Sequence, residues 1–226
     1  MTIYYIMKLI IIDSGLGGKD YIKKLNKLLH NDIECEFVKP FENMITTYDK
    51  KYVRDNIINL LSNYPYKNIH SIIIACHSIS SCILDILIEN NFIINNINIY
   101  EPIIPMCLYI NQIKKYNILV LSTPLTHKIR WHYRLLKSNS INIRYVSFPL
   151  LAQEIEENTS YTKSLDRLKK QEEFIEKCDC VILGCTHYNI IKDVISHDLK
   201  TKYNFQGVIL DSNEILLNFF IKSGID

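Results

Sequence analysis

Lys8-Leu9-Ile10-Ile11-Ile12-Asp13-Ser14-Gly15-Leu16-Gly17-Gly18 sets an unbroken apolar run against an acid, a hydroxyl and three closely spaced glycines. A short apolar run closed by turn-forming residues reads as a strand buried on both faces. Strands of that kind belong to parallel sheets, whose faces are covered by helices. The pattern recurs along the chain. Strands are expected at 8–12, 34–38, 71–75, 118–121, 142–146 and 181–183, and residues 13–18 form a loop. Helices are expected at 19–29, 51–62, 80–89, 128–137, 164–177 and 189–196. At 51–62, for example, Tyr52, Val53, Ile57, Leu60 and Leu61 recur at helical spacing. Strands alternating with helices predict an α/β fold with mainly parallel sheets.

The opening run also has a distant echo. Ile10-Ile11-Ile12-Asp13-Ser14 resembles Leu119-Val120-Leu121-Ser122-Thr123, and Ile74-Ala75-Cys76-His77 resembles Leu183-Gly184-Cys185-Thr186. Both pairs are 109 positions apart, 13 to 122 and 76 to 185. Two apolar strands, each ending in a polar residue and recurring at one offset, predict two similar α/β halves facing each other.

Bulk composition narrows the function classes. With 48% apolar residues over 226, the chain can bury a real core. A formal charge of +2, with no basic cluster interleaved with aromatics, argues against nucleic acid or an anionic membrane as partner. No apolar run reaches the roughly 18–20 residues of a membrane span. The apolar start carries Lys8 and stops at Asp13 with no small-residue cleavage site, unlike a secretory signal. The seven cysteines include no CxxC pair, so reduced thiols in a cytoplasmic protein are expected rather than a zinc site or disulfide framework.

Cys76 and Cys185 each follow an apolar strand and precede a helix, where open α/β sheets bind ligands. A thiol at a helix N-terminus is expected to fall from about 8.5 toward neutrality and so to exchange protons near neutral pH. Cys35, Cys82, Cys107, Cys178 and Cys180 read instead as small buried hydrophobes. Gly15-Leu16-Gly17-Gly18 does not fit the GxGxxG dinucleotide fingerprint, because its third glycine comes too early. Its backbone N–H groups could approach a substrate carboxylate, or simply turn strand into helix. His187, two residues after Cys185, could tune that thiol near working pH. Ser122, Thr123 and Thr126 could hold a carboxylate or cap a helix. The His and Cys residues lack metal-ligand spacing, and no motif argues for pyridoxal phosphate.

Together, Ile12-Asp13-Ser14-Gly15-Leu16-Gly17-Gly18, Ala75-Cys76-His77-Ser78-Ile79 and Leu183-Gly184-Cys185-Thr186-His187-Tyr188-Asn189 resemble the glutamate racemase family of the aspartate/glutamate racemase superfamily. Ser122-Thr123-Pro124-Leu125-Thr126 and Asp211-Ser212 are weaker echoes. The resemblance implies two α/β domains, 1–95 plus 208–226 and 96–207, with the active site in the cleft between them. It implies that Cys76 and Cys185 are catalytic bases flanking the substrate α-carbon, with Asp13 assisting Cys76 and His187 assisting Cys185. It makes Ser14, Tyr48, His77, Ser78, Thr123, Thr126 and Thr186 substrate-binding residues. It further implies no cofactor, no metal, and a cytoplasmic homodimer supplying D-glutamate for peptidoglycan. Four departures stand out. His77 and Ser78 replace an asparagine and a threonine, and Thr47-Tyr48-Asp49 replaces Pro-Tyr-Gly. The glutamate expected after Pro149-Leu150 has only the shifted Glu154 nearby.

Racemisation removes a proton from one face of Cα and delivers another to the opposite face, which explains one thiol on each half. Without an electron sink, the site must stabilise charge growing on the α-carboxylate, a task for hydroxyls and backbone N–H groups. Alternatives are a racemase of aspartate or another small amino acid, and a non-catalytic amino-acid-binding homologue. Thr186-His187 favours glutamate, and retention of both cysteines favours catalysis.

Overall fold

The apolar run ending at Ile12 forms β1 (Met7–Ile12), whose last four residues are buried. The structure, a computed structural model, describes residues 7–29, 33–43, 45, 48–137 and 141–224. After β1 come α1 (Leu16–Leu29), β2 (Ile33–Val38), α2 (Lys50–Asn63), β3 (Ser71–Ile74), α3 (His77–Glu89), β4 (Ile93–Ile94) and β5 (Ile97–Tyr100). These strands make one sheet in the order β2-β1-β3-β5-β4, parallel except for the β4 edge.

The chain continues through α4 (Ile103–Ile113), β6 (Asn117–Ser122), α5 (Pro124–Ile129), α6 (Trp131–Leu136), β7 (Asn142–Ser147) and α7 (Leu151–Glu156). Two short helices, α8 (Thr162–Leu165) and α9 (Glu172–Glu176), flank a tighter turn over Asp166–Gln171. Then follow β8 (Cys180–Gly184), α10 (Thr186–Ile190), α11 (Lys192–Tyr203), β9 (Val208–Asp211) and α12 (Ser212–Gly224). The second sheet is fully parallel, in the order β7-β6-β8-β9. It repeats the β2-β1-β3-β5 order of the first, so the 109-residue echo marks equivalent strands.

Period-two alternation sorts the strand residues into layers. In the first sheet Ile10, Ile12, Ile72 and Ile74 pack on one face and Leu9, Ile11 and Ile73 on the other. In the second, Leu119, Leu121, Val181 and Leu183 face one way, and Ile118, Val120, Cys180 and Ile182 the other. Fully burying one such side chain contributes about 1.5–3 kcal/mol, which is why both central strands read so clearly.

Both sheets run past the limits expected from the sequence. β5 pairs with β3, Ile99 opposite Ile72, so the first sheet runs past residue 95 to Tyr100. A tight turn at Asn95 and Asn96, both left-handed with φ of 50° and 63°, folds β5 back along β4. At the other boundary, β9 pairs with β8, so residues 208–211 complete the second sheet. Only α12 returns, packing Leu216, Leu217 and Phe220 against Leu9, Ile11 and Ile73. Helix limits move as well. The loop expected at 13–18 is shorter, because α1 already starts at Leu16. The helix expected at 128–137 is two, split at Arg130, whose φ of 57° is left-handed. The one expected at 164–177 is a series of short turns, and that at 189–196 breaks at Ile191.

Candidate active site

Strand register brings the motifs together. Ile12 lies opposite Ile74 on neighbouring strands, so Asp13-Ser14 and Cys76 emerge side by side. Ser14 Oγ is 3.4 Å from Cys76 Sγ. In the second sheet Ser122 lies opposite Gly184, so Thr123 and Cys185 emerge together. Contacts then cross between the halves. Thr186 donates its hydroxyl to Asp13 Oδ2 at 3.1 Å, and Ser78 Oγ is 2.7 Å from Thr123 Oγ1. Thr126 Oγ1 lies 3.2 Å from Thr123 and 3.4 Å from Ser78, completing a buried cluster of three hydroxyls.

The two thiols have different surroundings. His187 Nδ1 is 3.7 Å from Cys185 Sγ, and its other nitrogen, Nε2, is 2.8 Å from Glu156 Oε1. That same oxygen accepts the backbone N–H of Leu16 at 2.8 Å. Burial opposes a charge on His187, but hydrogen bonds to Cys185 and Glu156 outweigh it and raise the ring to about 10. The His187 hydrogen bond in turn holds the Glu156 carboxyl down at about 2. Among the described residues, no cation acts on Cys76. Burial pushes its thiol well up, and the nearby Asp13 and Cys185 charges add to that. Burial also raises the Asp13 carboxyl, despite the opposing pull of His187 and the N–H of Gly15.

The expected fall of the Cys76 thiol toward neutrality is therefore corrected: only 4% exposed, it responds more to lost hydration than to its helix N-terminus. Of the two roles open to the glycines, the strand-to-helix turn is the one formed, with α1 starting at Leu16. Gly15 N–H is bonded to Asp13, Leu16 N–H to Glu156, and Gly18 N–H to the Gly15 carbonyl, so these donors are occupied. The glycines instead permit close approach. A Cβ at Gly15 would lie 1.9 Å from Glu156 Oε1, and one at Gly17 2.2 Å from Thr186 Oγ1.

Among the other expected residues, His77 is buried and forms no hydrogen bond through its ring. Tyr48 packs on Phe41 and Tyr52, with ring centroids 5.4 and 4.9 Å away, at the edge of the apolar cluster that contains Cys76. Thr47 lies outside the described residues. The glutamate sought near Glu154 is Glu156; Glu154 leaves Oε2 buried without a partner. A signal for it existed: Leu151, Ala152 and Ile155 mark the buried stripe of a helix, but three glutamates in four positions obscured the choice. Among the described residues, no three His, Cys, Asp or Glu side chains group to hold a metal ion. Among the described residues, no helix is long and apolar enough to cross a membrane.

No protein-family model matches the chain. A glutamate racemase of Aliarcobacter butzleri is 31% identical over 206 residues, spanning 84% of this chain and 74% of the relative. One from Clostridium botulinum is 28% identical over 188 residues, spanning 81% and 72%. The solved glutamate racemase isoform RacE1 of Bacillus anthracis superposes with a TM-score of 0.78 over 98% of this chain and 84% of that one, at 19% identity.

Proposed function

We propose that this chain, which belongs to the glutamate racemase family, interconverts L- and D-glutamate by a two-thiol acid/base reaction that needs no cofactor. The carrying observation is the pair of thiols at equivalent strand ends of the two halves, one beside a His187–Glu156 pair and one beside Asp13 and Ser14. By family correspondence Cys185 serves the L isomer and Cys76 the D isomer. With L-glutamate, Cys185, beside the His187 ring, acts as the base and takes the Cα proton. The Cys76 thiol, kept protonated by burial, gives its proton to the opposite face. One proton is taken and one given, so the reaction balances without an oxidant or electron sink. D-glutamate reverses the roles, starting from the state that the forward turn leaves, with the proton on Cys185 and Cys76 acting as the base.

Negative charge growing on the α-carboxylate requires donors placed in advance, and losing one typically costs roughly 3–4 kcal/mol. The hydroxyls of Ser14, Ser78, Thr123, Thr126 and Thr186 suit that task, because hydroxyl protons can turn from one another toward a carboxylate. His77 borders this group in sequence. We divide the chain into domains at the observed sheet limits, 7–101 with 212–224 and 102–211. The supply of D-glutamate to peptidoglycan and a homodimeric state are carried over from the family.

The test is chiral analysis after incubation with L- and D-glutamate and with L- and D-aspartate, with and without EDTA and without added pyridoxal phosphate. Glutamate should be interconverted at a rate that chelator leaves unchanged. Dependence on added cofactor, or conversion of aspartate alone, would overturn the assignment.

A further inference from the structure

His77 and His132 meet where the two halves touch. His77 opens α3 directly after Cys76, and His132 lies in α6. Their rings stack at a centroid distance of 5.7 Å with 23° between planes. Both residues are buried, at 1% and 0% exposure. All four ring nitrogens lack hydrogen-bond partners, as does Oγ of Ser81, one helical turn beyond His77. Buried polar atoms nearly always find partners, so five unpaired atoms on adjoining residues are a concentrated liability. The same seam is held by Trp131, whose Nε1 donates to the Ser81 carbonyl at 2.8 Å. Leu125 and Ile129 of α5 pack into the core of the first half beside it.

Among the described residues, no free acid faces these rings. From α3 comes Ser81. Glu101, before α4, already accepts hydrogen bonds from Ser80 and from the N–H groups of Ile103 and Ile104. Cys107 on α4 is a buried thiol, raised by burial. The α5 helix and the break after it carry His127 and Arg130, and α6 carries Arg134, but Arg130 is engaged by His127 and Tyr145, and Arg134 lies over Trp131. From β7 comes Tyr145, its ring 6.4 Å from His132 and under the Arg130 guanidinium at 5.8 Å. A proton on either ring would find neutral groups or an acid already engaged, and a proton on His77 would also face the His132 ring.

We propose that His132 is a positioning residue of the racemase site: by stacking on His77 across the seam, it makes closure of the two halves conditional on both rings being uncharged. The effect on turnover rests on the racemase reading; the conformational effect does not. Burial lowers His132 from 6.5 to about 4. It lowers His77 further, with the His132 charge as a second cause. The closed seam therefore binds fewer protons than an opened one. Its stability is fully present above the ordinary histidine value of 6.5 and is lost as pH falls from there toward about 4. Each ring changes the closure equilibrium by up to about tenfold per pH unit across that window.

Trp131 is the only tryptophan, so its emission reports on the seam directly. Emission and far-ultraviolet circular dichroism would be followed during acid titration of the full chain, without substrate, for wild type, His132→Phe and His127→Phe. Phenylalanine keeps a ring of similar size and cannot take up a proton. Wild type and His127→Phe should show a reversible red shift between pH 6.5 and 4 while dichroism is unchanged. In His132→Phe the shift should become shallower and move to lower pH. The acid limb of glutamate turnover should move with it. If His132→Phe does not fold, His132→Asn takes its place. The proposal is overturned by a wild type without the transition, by a transition that His132→Phe leaves in place, by one that only His127→Phe removes, or by an unmoved acid limb. A normal emission transition in a protein inactive at every pH would sink the racemase reading alone.

Discussion

Glu156 illustrates what a single residue contributes when geometry rather than motif defines it. Its Oε1 is shared by His187 and the Leu16 N–H, so it ties the ring beside Cys185 to the first turn of α1. The two partners have opposite pH signatures. The Glu156 carboxyl is depressed to about 2, so its contribution to stability is present above the usual 4.5 and lost as pH falls through about 2. The His187 ring is raised to about 10, so its contribution is complete below the usual 6.5 and lost as pH rises through about 10. Glu156→Gln removes the anion and should let the ring titrate earlier. We expect the alkaline limb of kcat to move to lower pH. A hydrogen bond to a charged group is worth roughly 1.5–3 kcal/mol, so the rate should fall about ten- to hundredfold. A pH–rate profile with an unmoved alkaline limb would show that Glu156 does not hold the proton on His187. Cys185 and His187 were legible because they sit in one motif. Glu156 was not, because its partner lies 31 residues away and sequence does not display that proximity.

At the scale of elements, the contact between α1 and α10 sets how closely the two halves approach. Gly17 sits against Thr186, where a Cβ would meet its Oγ1 at 2.2 Å and its backbone carbon at 2.8 Å. A side-chain oxygen can swing aside, but backbone cannot, so Gly17→Ala must push α10 away. Overpacking of this kind costs roughly 1–3 kcal/mol. The displaced helix also carries His187, so we expect a lower melting temperature together with a large loss of kcat. Wild-type activity in a stable Gly17→Ala variant would contradict this role. The central strands were legible because burial on both faces leaves an uninterrupted apolar run, as in β1, β3, β6 and β8. Helix α4 escaped notice because Ile103-Ile104-Pro105-Met106-Cys107-Leu108-Tyr109-Ile110 has no polar stripe to reveal its period. Pro105 also reads as a breaker, although its place in the first turn leaves no intrahelical N–H missing. The split at Arg130 was hidden because a left-handed arginine carries no compositional mark.

Across the whole molecule, the crossing back from the second half to the first is held at Asp211. Its Oδ1 accepts the N–H groups of Asn213 and Glu214, capping α12, and its Oδ2 accepts from Lys24 of α1 at 3.1 Å. Asn189 of α10 adds a bond to Ser212 at 3.0 Å. Asp211→Ala removes the cap and leaves Lys24 to Asp20, 3.3 Å away. Loss of an N-cap typically costs about 0.5–2 kcal/mol. We expect the melting temperature to drop by roughly 1–8 °C, with faster amide exchange in α12 than in β1. Equal exchange changes in both would mean that α12 is not separately anchored. Domain limits were the least legible feature, because β5 and β9 are only four residues each and their pairing with β3 and β8 is decided by distant partners.

The central claim, one thiol for each face of Cα, is tested most directly by conversion of L-glutamate in deuterated water, sampled early. A donor thiol exchanges with solvent. The D-glutamate formed should therefore carry deuterium at Cα, while recovered L-glutamate stays mostly protiated. Cys76→Ser and Cys185→Ser should each lose racemisation by roughly a hundred- to ten-thousandfold or more, because a hydroxyl cannot replace a thiol as acid or base near neutral pH. Substantial protium in the early product would mean that one base returns the proton it took. That result, or near wild-type turnover in both serine variants, would contradict the paired-thiol account.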